Sequence, residues 1–178
     1  MNTLPLTRLW PSFLLSGALI GLDQFSKQWA ESHLALYQPQ PLLPLLNLSL
    51  TYNPGAAFSF LSHADGWQRW FFLGLSLSIS TLLVVWLTRL KADERWTRLA
   101  LSLILAGAVG NMIDRIAYGY VIDFIDFFYP ASGKCLPLFM HLETGCHWPT
   151  FNIADSAISV GVVLLLLSQL FDGKRHAQ

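Results

Sequence analysis

A chain of 178 residues and 20.0 kDa has the length of one domain, yet 53% of it is hydrophobic and only 12% is charged. So few charged side chains cannot solvate a globular surface of this size, and a mean hydropathy of +0.46 points to a membrane protein. Eleven Lys and Arg balance eleven Asp and Glu, which removes the basic excess that nucleic-acid binding needs; two cysteines exclude a disulfide-dense scaffold and multi-cysteine zinc or iron-sulfur patterns.

In chain order, the first apolar run is 9–22, and its helical pattern continues through Asp23 and Lys27 without a turn signal. A helix is therefore predicted over 10–30. Arg8 followed by Ser16-Gly17-Ala18 offers the alternative of a cleaved signal peptide, but the uninterrupted pattern suits a retained helix better. In the loop that follows, 45–60 mixes alternating apolar and polar residues with an Asn-Pro-Gly turn, as a strand pair or a short amphipathic piece on the membrane surface would. Residues 70–88 are 19 consecutive uncharged positions, enough at about 1.5 Å per residue to cross about 30 Å of hydrocarbon, so a helix is predicted over 69–89. The runs 99–113 and 156–171 reach spanning length with a few polar flanking residues, giving helices over 96–117 and 153–172. The expected fold is an all-α polytopic membrane protein: a single integral membrane domain over 1–178 with four transmembrane helices and a small extended or β element in the outer loop.

Lys and Arg set the orientation. Arg8, the group Arg89, Lys91, Arg95 and Arg98, and Lys174 with Arg175 flank the ends that share one side, whereas the opposite side holds Lys134, with Arg69 at its edge. Both termini are expected in the cytoplasm and the loops 31–68 and 118–152 outside. Trp10, Trp29, Trp67, Trp70, Trp86 and Trp96 fall near span ends, as interface anchors do.

This topology brings Asp23, Asp114, Asp123 and Asp155 to one membrane depth. An ionisable group there costs roughly 2.5–3.5 kcal/mol on insertion scales, so each needs a partner, water or the bundle interior, and a functional site is the default reading. Structural readings compete. Asp23 and Lys27, four apart, suit an ion pair within one helix. Asn111 can face Asp114 or Arg115, a network or a substrate contact. Asn152 followed by Asp155 reads as an N-cap with an acidic third residue. Capping does not explain Asp123, which lies in an alternating apolar and acidic stretch, Val121–Phe127, where Asp126 could equally be the solvated one of the two.

Two carboxylates suffice for peptide hydrolysis if one is ionised to take a proton from water and the other protonated to hydrogen-bond the carbonyl. Close approach in a low dielectric does this, because like charges a few ångström apart cannot both ionise. Asp155, helped by the helix N-terminus, suits the base and Asp123 the acid. Ser26-Lys27 contains the types of a serine-lysine dyad, but neighbours on a helix point apart. His33, His63, His141, His147 and His176 lie outside the spans, and no phosphate loop or metalloprotease helix occurs. The hydroxyls Ser76, Ser78, Ser80 and Thr81 are expected to bond their own backbone or a neighbouring helix.

Five runs together, Asp23-Gln24-Phe25-Ser26-Lys27, Asn53-Pro54-Gly55-Ala56-Ala57-Phe58-Ser59, Gly110-Asn111-Met112-Ile113-Asp114-Arg115, Val121-Ile122-Asp123-Phe124 and Phe151-Asn152-Ile153-Ala154-Asp155-Ser156, resemble the motif blocks of bacterial lipoprotein signal peptidase, also called signal peptidase II. The resemblance runs in order over nearly the whole chain. It implies an aspartic endopeptidase of the bacterial cytoplasmic (inner) membrane, with four helices and its active site near the outer face. Its substrate would be a prolipoprotein whose cysteine already carries a diacylglyceryl group, cut just before that cysteine. Asp123 and Asp155 would be the catalytic dyad, and Asn53, Asn111, Arg115, Asn152 and Ala154 would line or order the substrate site. Asp23, Lys27, Asp114 and Gly55 would support it, with Asp114 ordering Arg115 or its surroundings. No metal or organic cofactor is implied; the expected partners are the prolipoprotein and membrane lipid, with no nucleic acid, and the expected state is a monomer.

One departure is the segment from Phe127 to Pro149, longer than this family leads one to expect and holding Cys135 and Cys146. Outside the cytoplasm these two can form a disulfide, which in so short a loop contributes roughly 3 kcal/mol of local order; a free thiol pair is the alternative. His141, Glu143, Cys146 and His147 match no strong metal-ligand spacing. Two other function classes remain for comparison. A small transporter or proton relay predicts charges spread through the bilayer depth, whereas these cluster at one face. A non-catalytic assembly factor, with Ala106/Gly110 and Ala157/Gly161 as helix contacts, leaves Asp123 unexplained.

Overall fold

The computed structural model describes residues 9–55, 66–131, 134–142 and 145–175, and side chains up to 169. Arg8, His63, Glu143, His176 and the Ala56–Ser59 part of the second motif block lie outside the described residues. Four helices and five strands follow in the order α1 Trp10–His33, β1 Gln40–Leu43, β2 Leu46–Asn53, α2 Trp67–Arg89, α3 Arg95–Ala117, β3 Val121–Tyr129, β4 Met140–Leu142, β5 Gly145–His147 and α4 Ile153–Arg175. Two compact units result: Met1–Asp23 with Leu73–Ile113 and Ile153–Gln178, and Gln24–Phe72 with Asp114–Asn152.

The first unit is helical. Its core joins Leu9, Leu83, Leu87, Leu90, Leu101, Ile104 and Leu105. Small residues let backbones approach: a Cβ on Gly107 would overlap the carbonyl oxygen of Ala154, and one on Gly161 would lie 2.6 Å from Ile104 Cγ1. Ser16 Oγ donates to the Ser102 carbonyl (2.8 Å), while Ser78 and Thr81 return their hydroxyls to the carbonyls of Gly74 and Leu77 (2.7 and 2.8 Å). By length and composition α2 and α3 can each cross a membrane, and α4 contains a shorter apolar stretch, Ile153–Gln169. Exposed Leu77, Leu82 and Val85 on α2, with Val163 and Leu166 on α4, form apolar surface of a kind that soluble proteins seldom show.

The second unit is built on one antiparallel sheet of order β1-β2-β3-β5-β4. The small β element expected in the outer loop is present as β1 and β2, and the 118–152 segment adds three further strands to it. β2 and β3 pair with Asn47 opposite Asp126 and Thr51 opposite Asp123, and the register shifts between Leu48 and Thr51. On β3 itself the successive N–H groups of Phe124 and Ile125 both donate to the Phe151 carbonyl (3.1 and 2.9 Å), a bulge between Asp123 and Asp126. Residues three apart on a regular strand face opposite ways, yet Asp123 and Asp126 line one cavity. The turn from α3 into β3 uses Gly119 at φ +87°, where its N–H donates to the Arg115 carbonyl (3.2 Å) as in a helix C-cap.

Cys135 and Cys146 are joined by a disulfide, with Cα atoms 5.4 Å apart. Of the two possibilities for this pair, the bonded one is present, because β5 runs beside β3 and carries Cys146 opposite Tyr129. The bridged segment packs as a small aromatic cluster, Phe139 lying edge-on to both Tyr129 and Trp148.

Candidate active site

In the second unit a chain of hydrogen bonds ends on Asp123, which is 1% exposed. Arg115 Nη2 donates to the Gly55 carbonyl (2.8 Å), the Gly55 N–H to Asn53 Oδ1 (3.0 Å), and Asn53 Nδ2 to Asp123 Oδ2 (3.2 Å). The other carboxylate oxygen, Oδ1, accepts from Asn152 Nδ2 at 2.8 Å, and that amide also reaches the Ile122 carbonyl (3.2 Å). Both oxygens are thus oriented by neutral amides, which fix direction without adding a full charge. Asn53 is the last residue of β2, and Asn152 stands immediately before α4.

Asp114 is the anchor beneath. Its Oδ2 lies 2.8 Å from Lys27 Nζ and accepts the Ile122 N–H (3.1 Å), while Oδ1 accepts from Gln24 Nε2 (2.8 Å). Lys27 and Asp114 are both fully buried, so this pair depends on its hydrogen bonds to offset the loss of water. The ammonium of Lys27 therefore reaches a carboxylate on a second helix. Gln24 sits in the first motif block, but sequence reasoning assigned it no role; only the fold shows what its amide holds.

In the first unit Asp23 Oδ1 accepts the Ala154 N–H (2.9 Å), and Asn111 Nδ2 donates to Asp155 Oδ1 (2.7 Å). A Cβ on Gly110 would come within 2.7 Å of Asp23 Oδ2, so this glycine makes room for the carboxylate. Asp155 sits in the first turn of α4, where the helix dipole favours a negative charge.

A second buried cluster lies farther along β3. Asp126, offered by the sequence as a solvated residue, is 2% exposed: Asn47 Nδ2 donates to its Oδ2 (3.0 Å), and His147 Nδ1 lies 2.8 Å from Oδ1 and 2.9 Å from Oδ2. The pairing of β3 with β5 puts His147 there, stacked on Phe128 at 5.4 Å. Neither Asn47 nor His147 was singled out as a partner from sequence, and an isolated histidine in a loop carries no signal that could have done so. With Cys146 in a disulfide, the loosely spaced His141, Cys146 and His147 do not form a metal site among the described residues.

Asp123, Asn53, Asp126 and His147 line a cavity of about 630 Å³ in this unit. Tyr52 also lines it; its Oη donates to Glu31 Oε1 (3.2 Å), and burial together with that carboxylate pushes the phenol up to about 12.

The chain matches the family model described as signal peptidase (SPase) II over residues 15–171. Among curated relatives, a lipoprotein signal peptidase of Hydrogenovibrio crunogenus is 44% identical, covering 99% of this chain and 92% of its own. One of Xanthomonas campestris is 45% identical, covering 96% and 93%. Two solved structures described as bacterial membrane enzymes, obtained by the in meso method, are similar. The first has a TM-score of 0.76 at 28% identity over 98% of this chain and 95% of the other. The second has a TM-score of 0.71 at 29% identity over 96% and 97%.

Proposed function

The chain belongs to the signal peptidase II family, and from that premise we propose that it is an aspartic endopeptidase of the bacterial inner membrane that removes the signal peptide from diacylglyceryl-modified prolipoproteins. The observation that carries this reading is the family match over 15–171, with relatives at 44–45% identity along nearly the whole chain. All four helices cross the bilayer as one integral domain, the termini face the cytoplasm, the active site faces outward, and the protein works as a monomer. The positions of Lys and Arg support this orientation.

Asp123 and Asp155 form the catalytic pair. Asp155, in the first turn of α4, is ionised and takes a proton from water as the water oxygen attacks the scissile carbonyl carbon. Asp123, protonated, hydrogen-bonds the carbonyl oxygen and stabilises the charge that develops there. Collapse breaks the C–N bond, and the proton passes to the departing amino group of the lipidated cysteine. The amides of Asn53 and Asn152 support the role of Asp123 by holding both of its oxygens, and that of Asn111 holds Asp155. Arg115 and Gly55 order Asn53; Asp23 fixes the Ala154 backbone, and Lys27 with Asp114 fixes the start of β3. These carboxylates sit where a lipid-anchored precursor presents its scissile bond, at the headgroup level, and the reaction needs no cofactor.

The test is cleavage by the purified protein in detergent of a precursor with and without the diacylglyceryl group, the new N-terminus being read by mass. Cleavage of the lipidated precursor alone, leaving cysteine at the N-terminus, is expected. Equal cleavage of the unlipidated precursor, or a cut elsewhere, would overturn the substrate assignment.

A further inference from the structure

The cavity beside Asp123 is built by strands and the segments that flank them, and among the described residues none of its lining comes from α2, α3 or α4. Its lining includes Asp123 and Asp126, the hydroxyl residues Thr51 and Thr150, and Met140 and Leu142 of β4. The two hydroxyls bond each other at 2.6 Å and keep further donor and acceptor capacity. Met140 and Leu142 are 46% and 48% exposed, large apolar side chains on the last strand of the sheet. The disulfide and the pairing of β4 with β5 hold that strand in place.

We infer that this cavity binds the first residues of the mature polypeptide that follow the lipidated cysteine, with Met140 and Leu142 as the wall that reads their side chains. The inference rests on the proposed prolipoprotein reading and adds a subsite to it. A lipidated precursor has three parts that could enter: an apolar signal segment, a pair of acyl chains and the polypeptide beyond the cysteine. Acyl chains carry no hydrogen-bonding groups and an apolar signal segment pairs its backbone groups within its own membrane helix, so either would strip water from the hydroxyls and carboxylates of the cavity without returning hydrogen bonds, which is costly. An extended polypeptide supplies backbone N–H and C=O groups for the hydroxyls and places side chains against the apolar wall, the usual division between affinity and specificity in extended-peptide recognition. The cavity is continuous with Asp123, so a chain whose bond is cut there leads directly into it. Its volume of about 630 Å³ lies within the range of about 300–1,000 Å³ typical of binding sites.

Two precursors with the same signal segment and lipidated cysteine distinguish the outcomes, one ending just after the residue that follows the cysteine and one continuing for several residues. The native protein is expected to show the lower KM for the longer precursor. Met140→Asp and Leu142→Asp, at half-exposed positions, are expected to raise KM for the longer one about tenfold and to leave the shorter one unchanged. Equal KM for the two precursors with the native protein, or variants that alter both precursors alike, would overturn the subsite. Cleavage of neither precursor by the native protein would overturn the peptidase reading itself, and the subsite with it.

Discussion

β3 carries two buried acidic residues, one nearer its start and one farther along, and they are held in different ways. At the start of the strand, Asp123 is gripped by two neutral amides, and the neighbouring Ile122 N–H is fixed by Asp114, itself paired to Lys27. Farther along, Asp126 faces an imidazole and an amide, beside a segment closed by a disulfide. The first arrangement keeps cationic support one step behind the carboxylate, so Asp123 is oriented without a full charge directly upon it. The second places a titratable ring directly on the carboxylate and locks two strands together. Burial alone thus does not distinguish the two carboxylates; the identity of their donors does.

Substitutions at the two ends should separate these roles. The largest loss of stability is expected for Lys27→Met, which leaves Asp114 buried without its ammonium: about 3–5 kcal/mol, read from unfolding of the detergent-solubilised protein. His147→Leu, at the far end, removes the imidazole from Asp126 and leaves it the Asn47 amide, and should cost about 1–3 kcal/mol in the same measurement. If the second loss matched the first, the imidazole would be acting as a full charge partner. The smallest effect belongs to Tyr52. Its raised folded value, about 12 against an ordinary 10.0, means that its contribution is complete below pH 10 and fades as pH rises toward 12, since the unfolded chain loses that proton first. Tyr52→Phe should flatten this alkaline decline; an unchanged decline would assign it to other groups.

The same contrast explains what could be read without the fold. The start of β3 lies in motif blocks, and helix pattern with charge placement was enough to gather Asp23, Asn111, Asp114, Asp123 and Asp155 as candidates. Spacing within one helix, however, can nominate only partners on that helix, and so it could not reveal that Lys27 reaches Asp114 from another. At the far end, strict alternation would send Asp123 and Asp126 to opposite faces; the bulge at Phe124–Ile125 between them depends on the carbonyl of the distant Phe151 and has no local signature. The pairing of Cys135 with Cys146 likewise depends on β5 lying beside β3, a contact between distant segments that neither cysteine announces.

In the proposed function Asp123 and Asp155 perform the chemistry. The measurement that tests it most directly is the rate of cleavage of a diacylglyceryl-modified prolipoprotein by Asp123→Asn and by Asp155→Asn, each shown by its unfolding profile to keep the native fold. Loss of a positioned acid or base predicts a fall of about 10²–10⁴-fold in kcat for each. Folded variants that cleave as fast as the native protein would contradict it, and would make these aspartates part of the architecture, as Asp126 is.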